Sequence, residues 1–581
     1  MSTKYVNYSS TLAASMFCLI AAAGVAPISV AQPAQDTNLP HLEKRGAVTQ
    51  LIVDGKPFLA LAGEVGNSSS SSLEYMKPIW PKLAQMHLNT VLTPVSWELF
   101  EPEEGKFDFT LVDGLIRDAR LHDLHLMFLW FGTWKNMVST YAPVWVRRDT
   151  ERFPLWQDER GNKLPILSTF GEETRKADAR AFAALMRHLR KVDAREQTVV
   201  MMQIENEVGG SGGARDGSAA ASEVFGKPVP QELMDTLQKQ KDTLIPDFLK
   251  LWEDAGSKTS GTWEEVFGRG TPAHEAFMTW SYSRYIGQVI AAGKAEYPLP
   301  MFVNASLGRA DGKLGTYPCG GPMPLFLDIW RAGAPKLDMI SPDIYVTNFT
   351  DWCARYTQSE NPLFIPETRA NPANAFLAVG QYNAIGLSPF GIERDADPAS
   401  ALSKSYDVLG QLAPLILENQ GKGTMRSVAV DAENPTQKIP LGNYILNVHF
   451  GTGRLDRPQA APELPAGAPP RAGGPPGAVQ PPNRGYAVFI ATGPDEYIVA
   501  GSGVLVTFSP NSPGPPVAAL ASVEEGTFVK GRWTPGRRLN GDEIMLSYGL
   551  SELAAQNQTG SGLRLSGDTP RILRVKLFRY R

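Results

Sequence analysis

Cysteine is scarce in this chain, and so is an excess of charge of either sign. The 581 residues include three cysteines, and only Cys319 and Cys353 lie outside the N-terminal segment. Two cysteines cannot build a disulfide scaffold or a cysteine metal site, although they could pair with each other or remain buried free thiols. Lys and Arg total 56 against 60 Asp and Glu, with no basic stripe. We therefore expect neither nucleic acid nor an anionic membrane surface as a partner, and we expect an uncharged substrate.

Long apolar runs are missing as well. The stretch 12–25 is too short to span a bilayer, and no later run reaches the roughly 18 apolar residues that a membrane helix needs. The short run is followed by Ser29-Val30-Ala31 before Gln32, a small-x-small site. This pattern predicts a cleaved secretory signal peptide over residues 1–31 and a soluble, secreted or periplasmic mature protein without membrane insertion.

Histidine is also sparse and shows no metal-binding spacing. The seven histidines contain no His-Glu-x-x-His motif. His122 and His125 lie close in sequence, but they span a predicted helix end and strand start, where half-buried imidazoles are common. The sequence therefore predicts no essential metal and no cofactor.

What the chain does have is a repeated alternation of short apolar runs with helical patterns. With 43% hydrophobic residues and 12 Trp, it can bury a large core. Continuous apolar strands separated by helices indicate a parallel sheet covered on its outside, and eight such units close most simply into a (β/α)8 barrel. A doubly wound open sheet is the alternative, but no glycine fingerprint follows the first strand. The predicted strands are 59–63, 90–95, 126–130, 199–204, 301–304, 339–345, 363–366 and 385–391, and the predicted helices include 73–87, 180–189, 232–252 and 275–292.

The pattern divides the mature chain into two domains. We expect the α/β barrel over 40–400, with an insertion at 209–271 that is unusually long for a βα loop. After residue 400, alternating stretches at 444–450, 486–491, 497–508, 528–533 and 572–578 predict an all-β sandwich domain over 401–581. Nine Pro within 458–482 exclude a sheet strand there and indicate an extended loop or linker.

Carboxylates stand where two of the predicted barrel strands end. On the fourth strand, Gln203, Glu205 and Glu207 share one parity and would project toward one interior. On the seventh strand, Glu367 has the corresponding place. Opposed carboxylates at the C-terminal face of a barrel suit glycoside hydrolysis, with one donating a proton and the other attacking the anomeric carbon. The alternative is that each Glu is a structural ion-pair partner, as Glu367 could be for Arg369.

These strand ends carry a family resemblance. Asn206-Glu207 with Glu367 resembles the clan of retaining glycosidases that are built on (β/α)8 barrels. The segment Ile-Glu-Asn-Glu-Val-Gly at 204–209 resembles the I/V-E-N-E-Y-G motif of glycoside hydrolase family 35 β-galactosidases. The segments 97–109 and 141–146 are similar to that family's W-N-x-H-E-P-x-x-G-x-Y-D-F and G-L-P-x-W-L motifs. The resemblance covers residues 97 to 367 and implies a bacterial subgroup with a C-terminal β-domain.

The resemblance implies a set of residue roles. It makes Glu207 the acid/base and Glu367 the nucleophile of a retaining exo-β-galactosidase, and it gives Asn206 the contact to the sugar 2-hydroxyl. The candidates for substrate binding are Tyr345, which would orient the nucleophile, Trp97 and Trp134, which would stack on the sugar, and Glu64, which would bind hydroxyls.

This chain departs from the family pattern at two places that usually contact the terminal sugar. Glu98 stands where the family has Asn, and residues 131–136 replace a Cys-Ala-Glu-Trp ending. We expect Glu64, Glu98 and Asn136 to supply those contacts instead. The substrate would be a galactose-terminated oligosaccharide or polysaccharide, with xyloglucan side chains suggested by analogy.

Other functions fit parts of the same sequence. A β-glucosidase or another retaining glycosidase of the clan would keep both carboxylates. A non-catalytic carbohydrate-binding protein would need the Trp residues but not both carboxylates. The segment 209–213 satisfies Gly-x-Ser-x-Gly, the nucleophile elbow of serine hydrolases, but the glycines after it make a poor helix start.

Overall fold

Eight parallel strands form the central sheet in the computed structural model of this protein, and they follow one another around a ring. The structure describes residues 39–210, 215–394, 396–451, 484–544, 562–567 and 569–581. The expected signal peptide and the proline-rich segment 458–482 lie outside the described residues, as does most of the Gly-x-Ser-x-Gly segment. No helix in the described part of the chain is long and apolar enough to cross a membrane.

The ring confirms the predicted (β/α)8 barrel over the doubly wound alternative. The first strand pairs with both the second and the eighth, and the ring is completed between the sixth and seventh strands, where the amide of Ile344 donates to the carbonyl of Glu367 over 2.9 Å. All eight predicted strands are present. In chain order they are Ala60–Glu64, Thr90–Ser96, His125–Lys135, Val199–Asn206, Met301–Ser306, Met339–Asp343, Phe364–Thr368 and Gly386–Pro389.

The barrel has an apolar interior and a closed N-terminal end. Alternate side chains such as Leu92, Met201 and Phe364 form an interior cluster, and Leu51 and Val53 join it. The last two belong to an antiparallel sheet that precedes the barrel. Its strands are His41–Arg45, Val48–Val53 and Lys56–Phe58. Since this end of the barrel is filled, only the carboxyl ends of the strands are free to form a site.

Helices cover the outside of the barrel, where a second and larger apolar cluster lies. The expected helix at 73–87 is two short helices, because Pro78 and Pro81 interrupt it. A small hairpin, Leu155–Gln157 with Lys163–Leu167, follows the third strand. The helices are Leu73–Met76, Trp80–Gln85, Trp97–Phe100, Thr110–Arg120, Val144–Arg147, Glu172–Asp193, Thr271–Glu296, Leu327–Gly333, Phe349–Tyr356, Pro372–Gln381 and Ala401–Asn419.

The described residues after the fourth strand include four short helices: Ala219–Phe225, Gln231–Lys239, Pro246–Asp254 and Trp263–Phe267. The single helix expected at 232–252 is wrong, because proline is disfavoured in a helix interior and Pro246 instead begins a new helix. These helices pack against the segment after the fifth strand, where the amide of Ile245 donates to Asp328 over 2.8 Å.

The C-terminal region has two antiparallel sheets over a shared apolar cluster, as expected for an all-β sandwich. Helix Ala401–Asn419 still lies on the barrel, where the Tyr406 hydroxyl donates to the carbonyls of Ala62 and Leu387. The change of architecture therefore falls between residues 419 and 425, later than the boundary expected at 400. One sheet contains Met425–Val430, Gly485–Gly493, Glu496–Ser502, Arg571–Tyr580, Val517–Val529 and Arg532–Arg538, and the other contains Thr436–Leu441, Tyr444–Phe450, Val504–Pro510 and Leu563–Leu565.

Two expected strands of this region are wrong in detail. The stretch 497–508 is two strands, with Gly503 at φ 70° between them. The stretch 528–533 is the turn of a hairpin, since Lys530 and Gly531 have φ of 50° and 74° and Phe528 pairs with Trp533 across it. Two successive residues with positive φ are typical of a tight hairpin turn, which alternation alone does not reveal.

Candidate active site

The fourth barrel strand ends in an unusual backbone conformation. Glu205 and Glu207 have φ of 59° and 44°, in the left-handed region that side chains other than glycine rarely adopt. Each such residue costs of order 1–2 kcal/mol, and such strain concentrates at functional sites. The expected alternation along this strand is therefore wrong for Glu205, because the left-handed turns aim Glu205 away from the cavity, while Glu207 lines the cavity and Asn206 contacts Glu367 behind it.

Glu205 instead holds the end of the third strand. Its carboxyl accepts hydrogen bonds from the amides of Thr133 and Trp134, at 3.1 and 2.6 Å. Those two residues belong to a bulge in the register between Trp130 and Lys135. A bulge leaves backbone donors without strand partners, so the buried carboxyl satisfies donors that the sheet cannot.

A second carboxyl, that of Asp178 on helix Glu172–Asp193, completes this arrangement. Asp178 accepts hydrogen bonds from the Trp130 indole and the Thr133 hydroxyl, at 2.9 and 2.8 Å. Burial raises the pKa of both Asp178 and Glu205, and a hydrogen bond joins the two carboxyls. Gly132 leaves the necessary space, since a Cβ there would lie 2.8 Å from Glu205. The two carboxyls therefore lie together in the wall behind the cavity.

The bulge places Lys135 beside the strand-four residues. Its ammonium donates to the side-chain oxygen of Asn206 over 2.8 Å and lies 3.9 Å from Glu367. The amide nitrogen of Asn206 in turn donates to Glu367 over 3.1 Å. Strands three, four and seven are thus joined at their carboxyl ends by a chain of polar contacts.

Glu367 is surrounded by donors and by positive charge. Besides Asn206 and Lys135, the Tyr345 hydroxyl donates to its second oxygen over 2.9 Å. The residue is only 5% exposed. Each contact can be made to an ionised carboxylate, and the alternative in which Glu367 pairs with Arg369 is wrong, because the cation beside it is Lys135. A carboxylate held in this way is suited to nucleophilic attack.

Glu207 has a different environment across the same cavity. Burial, followed by the nearby charge of Glu367, raises the pKa of Glu207 to about 7, against smaller opposing effects of Lys135, Ser306 and Asp343. Its backbone amide donates to Asn304 over 2.9 Å, and this contact fixes the strained turn. Glu207 can therefore carry a proton at neutral pH.

The two carboxyls line one cavity of about 440 Å³ at the carboxyl ends of the strands. Asn136, exposed at φ 51°, forms part of its rim, and Phe390 after the eighth strand supplies an apolar wall. A pocket with a few convergent polar groups and one aromatic face suits a sugar ring.

Two further acids lie deep beside this cavity. Both carboxyl oxygens of Glu64 and one of Asp343 are buried and have no hydrogen-bond partner in the described part of the chain. Burial and the surrounding carboxylates raise the pKa of both groups well above the usual range. Asp343 accepts from Asn304 over 2.7 Å, which links it to Glu207. Within the described ranges, no group of three or more His, Cys, Asp or Glu side chains is arranged to hold a metal ion.

The structure brings together most, but not all, of the residues that the sequence singled out. Glu207, Glu367, Asn206, Tyr345 and Asn136 meet at the cavity, and Glu64 lies beside it, close enough for its charge to interact with Glu207 and Glu367.

Three candidate substrate contacts lie elsewhere. The Trp97 indole donates to Glu101 in the barrel's outer core, and the Trp134 indole donates to the carbonyl of Leu167. Both rings are fully buried and cannot stack on a sugar. The Glu98 side chain is 36% exposed and pairs with Arg147 over 3.6 Å, so it does not replace the missing Asn of the family pattern.

The sequence interpretation missed Lys135, Asn304 and Asp343. Asn304 and Asp343 lie on the fifth and sixth strands, so the rule that found Glu207, a polar residue ending an apolar strand, could have found them. Lys135 had no such signal, since its place depends on the bulge in the third strand.

Comparison with known proteins links this site to β-galactosidases. Residues 71–280 match the family model of glycoside hydrolase family 42, described as β-galactosidase, and residues 402–550 match a domain of unknown function. The resemblance to glycoside hydrolases of the β-galactosidase type is thus confirmed. The assignment to family 35 is not confirmed, because the matching model is that of family 42.

Individual relatives align over short parts. A β-galactosidase from Xanthomonas manihotis is 27% identical over 28% of this chain and 25% of its own length. Beta-galactosidase 11 from Arabidopsis thaliana is 32% identical over 17% of this chain and 12% of its own length. The solved structure of a β-galactosidase from Bacillus circulans sp. alkalophilus has a TM-score of 0.42 and 15% identity, covering 62% of this chain and 57% of that one. The chain thus spans a quarter or less of these curated relatives.

Proposed function

We propose that this protein is a retaining exo-β-galactosidase that releases terminal non-reducing β-D-galactose from oligosaccharides or polysaccharides. The observation that carries the proposal is the contrast between the two carboxyls of one cavity. Glu367 accepts from Asn206 and Tyr345 beside Lys135, while burial raises the pKa of Glu207 to about 7. The matched β-galactosidase family model supports the choice of sugar.

The reaction would proceed by two displacements. The Glu367 carboxylate attacks the anomeric carbon while Glu207 gives its proton to the glycosidic oxygen, and the aglycone leaves. Glu207, now ionised, removes a proton from water, and the water oxygen attacks the anomeric carbon of the glycosyl ester. The C–O bond to Glu367 breaks, and galactose leaves with its original configuration.

Two experiments test the mechanism. A 2-deoxy-2-fluoro-galactoside with a good leaving group should inactivate the enzyme and add one glycosyl group to the peptide that contains Glu367, as seen by mass spectrometry. Proton NMR of the first-formed sugar from a nitrophenyl galactoside should show the β-anomer. An α-anomer would refute the retaining mechanism, and labelling of another residue would refute the assignment of Glu367.

The identity of the sugar requires its own test. Glu64, Asp343 and Asn136 are the groups that we propose to bind hydroxyls, including the axial 4-hydroxyl of galactose. A site built for one hydroxyl geometry leaves buried polar groups unpaired when the epimer enters, which predicts roughly 10³-fold discrimination. We expect kcat/KM for aryl β-galactoside to exceed that for β-glucoside by such a factor. Preference for the glucoside would identify a β-glucosidase instead.

We also propose that the protein is exported, on the strength of the apolar run 12–25 and the small-x-small site at 29–31. N-terminal sequencing of protein from a secreting bacterial host should begin within a few residues of Gln32. An active, exported fraction that retains Met1 would contradict this.

A further inference from the structure

A groove between the barrel and the β-domain lies near the catalytic cavity, with a small pocket between the two. Tyr345 and Val346 line the cavity and also a small adjoining pocket of about 30 Å³. Thr347 and Phe349 line that pocket and also a wider groove of about 680 Å³. The segment 345–349 therefore lines three neighbouring cavities in turn, and we call the small pocket and the wider groove together the seam groove.

Both domains contribute to the seam groove. The barrel supplies the segment after the sixth strand and helix Pro372–Gln381, while the β-domain supplies residues from Met425–Val430 and Thr436–Leu441. The seam groove adjoins the cavity at Tyr345, whose hydroxyl contacts Glu367.

The charge of the seam groove is uneven. Arg369 and Arg484 line the small pocket, and Arg426 and Lys438 line the wider groove. The carboxylate that lines the groove with them is Asp431, which lies 3.4 Å from Arg484. The groove thus has more cationic than anionic side chains, although the chain as a whole has a net charge of −4.

Arg369 is the group that points to a ligand. Its Nε and Nη2 atoms are buried, and neither has a hydrogen-bond partner among the residues that the structure describes. A guanidinium presents these donors as a planar fork that matches the two oxygens of a carboxylate. Asn374 in the same pocket has a buried side-chain oxygen without a partner, which could accept from a sugar hydroxyl.

We propose that the seam groove binds the aglycone of the substrate and that Arg369, assisted by Arg484, recognises a carboxylate on it, so that the preferred substrates carry galactose on a uronic acid. This inference rests on the proposed galactosidase activity for its substrate, but not for the carboxylate site. It differs from the expectation of a wholly uncharged substrate and from the neutral xyloglucan suggested by analogy, since only the galactose in the cavity needs to be neutral.

The first experiment measures binding and does not depend on hydrolysis. The full chain is titrated with methyl β-D-glucuronide and with methyl β-D-glucoside as the matched neutral sugar, by saturation-transfer NMR at low salt. We expect the glucuronide to bind at least roughly ten-fold more tightly, the effect of one charge-assisted bidentate contact. Equal affinity for the two sugars would overturn the proposal, whether or not the protein hydrolyses galactosides.

The second experiment measures hydrolysis of two disaccharides with the same linkage, galactosyl-glucuronate and galactosyl-glucose. The wild type should prefer the uronate roughly ten-fold in kcat/KM, and Arg369→Met should abolish that preference. Arg195→Met removes the same charge from the turn before the fourth strand, at the opposite end of the barrel, and should leave the preference unchanged. A preference that survives Arg369→Met would refute the assignment of Arg369.

A third variant, Asp431→Asn, keeps the proposal testable if Arg369→Met does not fold. Asp431→Asn removes the carboxylate that competes for Arg484 but keeps the side-chain oxygen that accepts from the amides of Glu433 and Asn434. It should strengthen glucuronide binding and leave glucoside binding unchanged. A weaker or unchanged response to the glucuronide would contradict the role of Arg484. Failure to hydrolyse any galactoside would refute the proposed function but not this site.

Discussion

Glu205 and Glu207 lie two residues apart, yet the structure places them in different environments. Both have left-handed backbone, and burial raises the pKa of each. The oxygens of Glu205 accept from the amides of Thr133 and Trp134, and the group pairs with Asp178. Glu207 faces an open cavity and Glu367 across it. Burial and a raised pKa are therefore not enough to identify a catalytic acid; the difference is whether the group's partners are protein atoms or space for a substrate.

The largest difference between the pair Glu205–Asp178 and the pair Glu207–Glu367 should come from the proposed nucleophile. Glu367→Gln cannot form the glycosyl ester, so we expect kcat for nitrophenyl galactoside to fall by roughly 10⁴-fold or more. Glu205→Gln, which keeps an acceptor oxygen for one of the two bulge amides, should stay within about ten-fold of wild type. Steady-state kinetics on both variants, with circular dichroism to verify folding, measures this. Comparable losses in the two variants would mean that the cavity has no special role.

The acid should show a smaller loss that depends on the leaving group. Glu207→Ala should lower kcat/KM for a galactosyl disaccharide by roughly 10²–10⁴-fold, because the leaving oxygen needs a proton. A dinitrophenolate leaves without help, so the dinitrophenyl galactoside should lose far less in its first step. Azide should restore turnover of the variant and yield β-galactosyl azide. Equal damage to both substrates, without rescue, would place Glu207 with Glu205 as a structural group.

The contrast between Glu205 and Glu207 also shows how much of the fold and of the candidate site could be predicted from the sequence. The eight apolar runs gave the barrel, and polar strand ends gave Glu207 and Glu367, because strand parity and the carboxyl-end rule depend only on local pattern. Parity failed at Glu205, where a left-handed φ reverses the direction of the side chain. Lys135 could not be found, since its position depends on a bulge held by a carboxyl 70 residues away in the chain.

The aromatic residues show a related limit of prediction from the sequence. Trp97 follows strand two and Trp134 lies near the end of strand three, where sugar-stacking residues would lie, but their indoles donate into the outer core. Whether a large aromatic side chain after a strand faces the site or the core depends on the local turn, which composition does not specify. Cys319 and Cys353 are likewise both buried free thiols, a choice that the sequence left open.

The pH dependence of kcat/KM tests whether the raised pKa of Glu207 matters for activity. Glu207 must be protonated to act, and its pKa is about 7, so kcat/KM should fall as the pH rises above about 7. Lys135 favours the ionised form of Glu207, so its removal should raise that pKa and move the basic limb to higher pH. Lys135→Met should therefore show this shift in addition to roughly ten-fold lower activity.

The control for this prediction is Lys176→Met, on helix Glu172–Asp193, whose lysine pairs with the exposed acids Glu172 and Glu173. Its pH profile should match that of wild type. A basic limb that stays in place in Lys135→Met, or that moves to lower pH, would show that Glu207 does not set it.

The smallest effect concerns stability, where Glu64 sharpens the contrast with Glu205. Both Glu64 oxygens are buried without a partner in the described part of the chain, and burial, followed by the charge of Glu367, raises its pKa well above the usual range. An unfolded Glu loses its proton near pH 4.3 while the folded one retains it, so folding becomes less favourable as the pH rises between those two pKa values.

Glu64→Gln removes this ionisation and should therefore stabilise the protein above about pH 5, by roughly 2–4 °C in Tm for each kcal/mol relieved. At pH 4, where the folded and unfolded states are both mostly protonated, the wild type and Glu64→Gln should have the same Tm.

Glu104→Gln is the matched control for the stability prediction. Glu104 is 39% exposed and paired with Arg152, which lowers its pKa, so its loss should not raise the Tm. Calorimetry from pH 4 to 8 measures the curves, and a lower Tm for Glu64→Gln at neutral pH would mean that Glu64 is held by contacts of the kind that hold Glu205. The same variant should lose galactoside kcat/KM, since the proposed site uses the unpaired oxygens of Glu64 to bind the sugar.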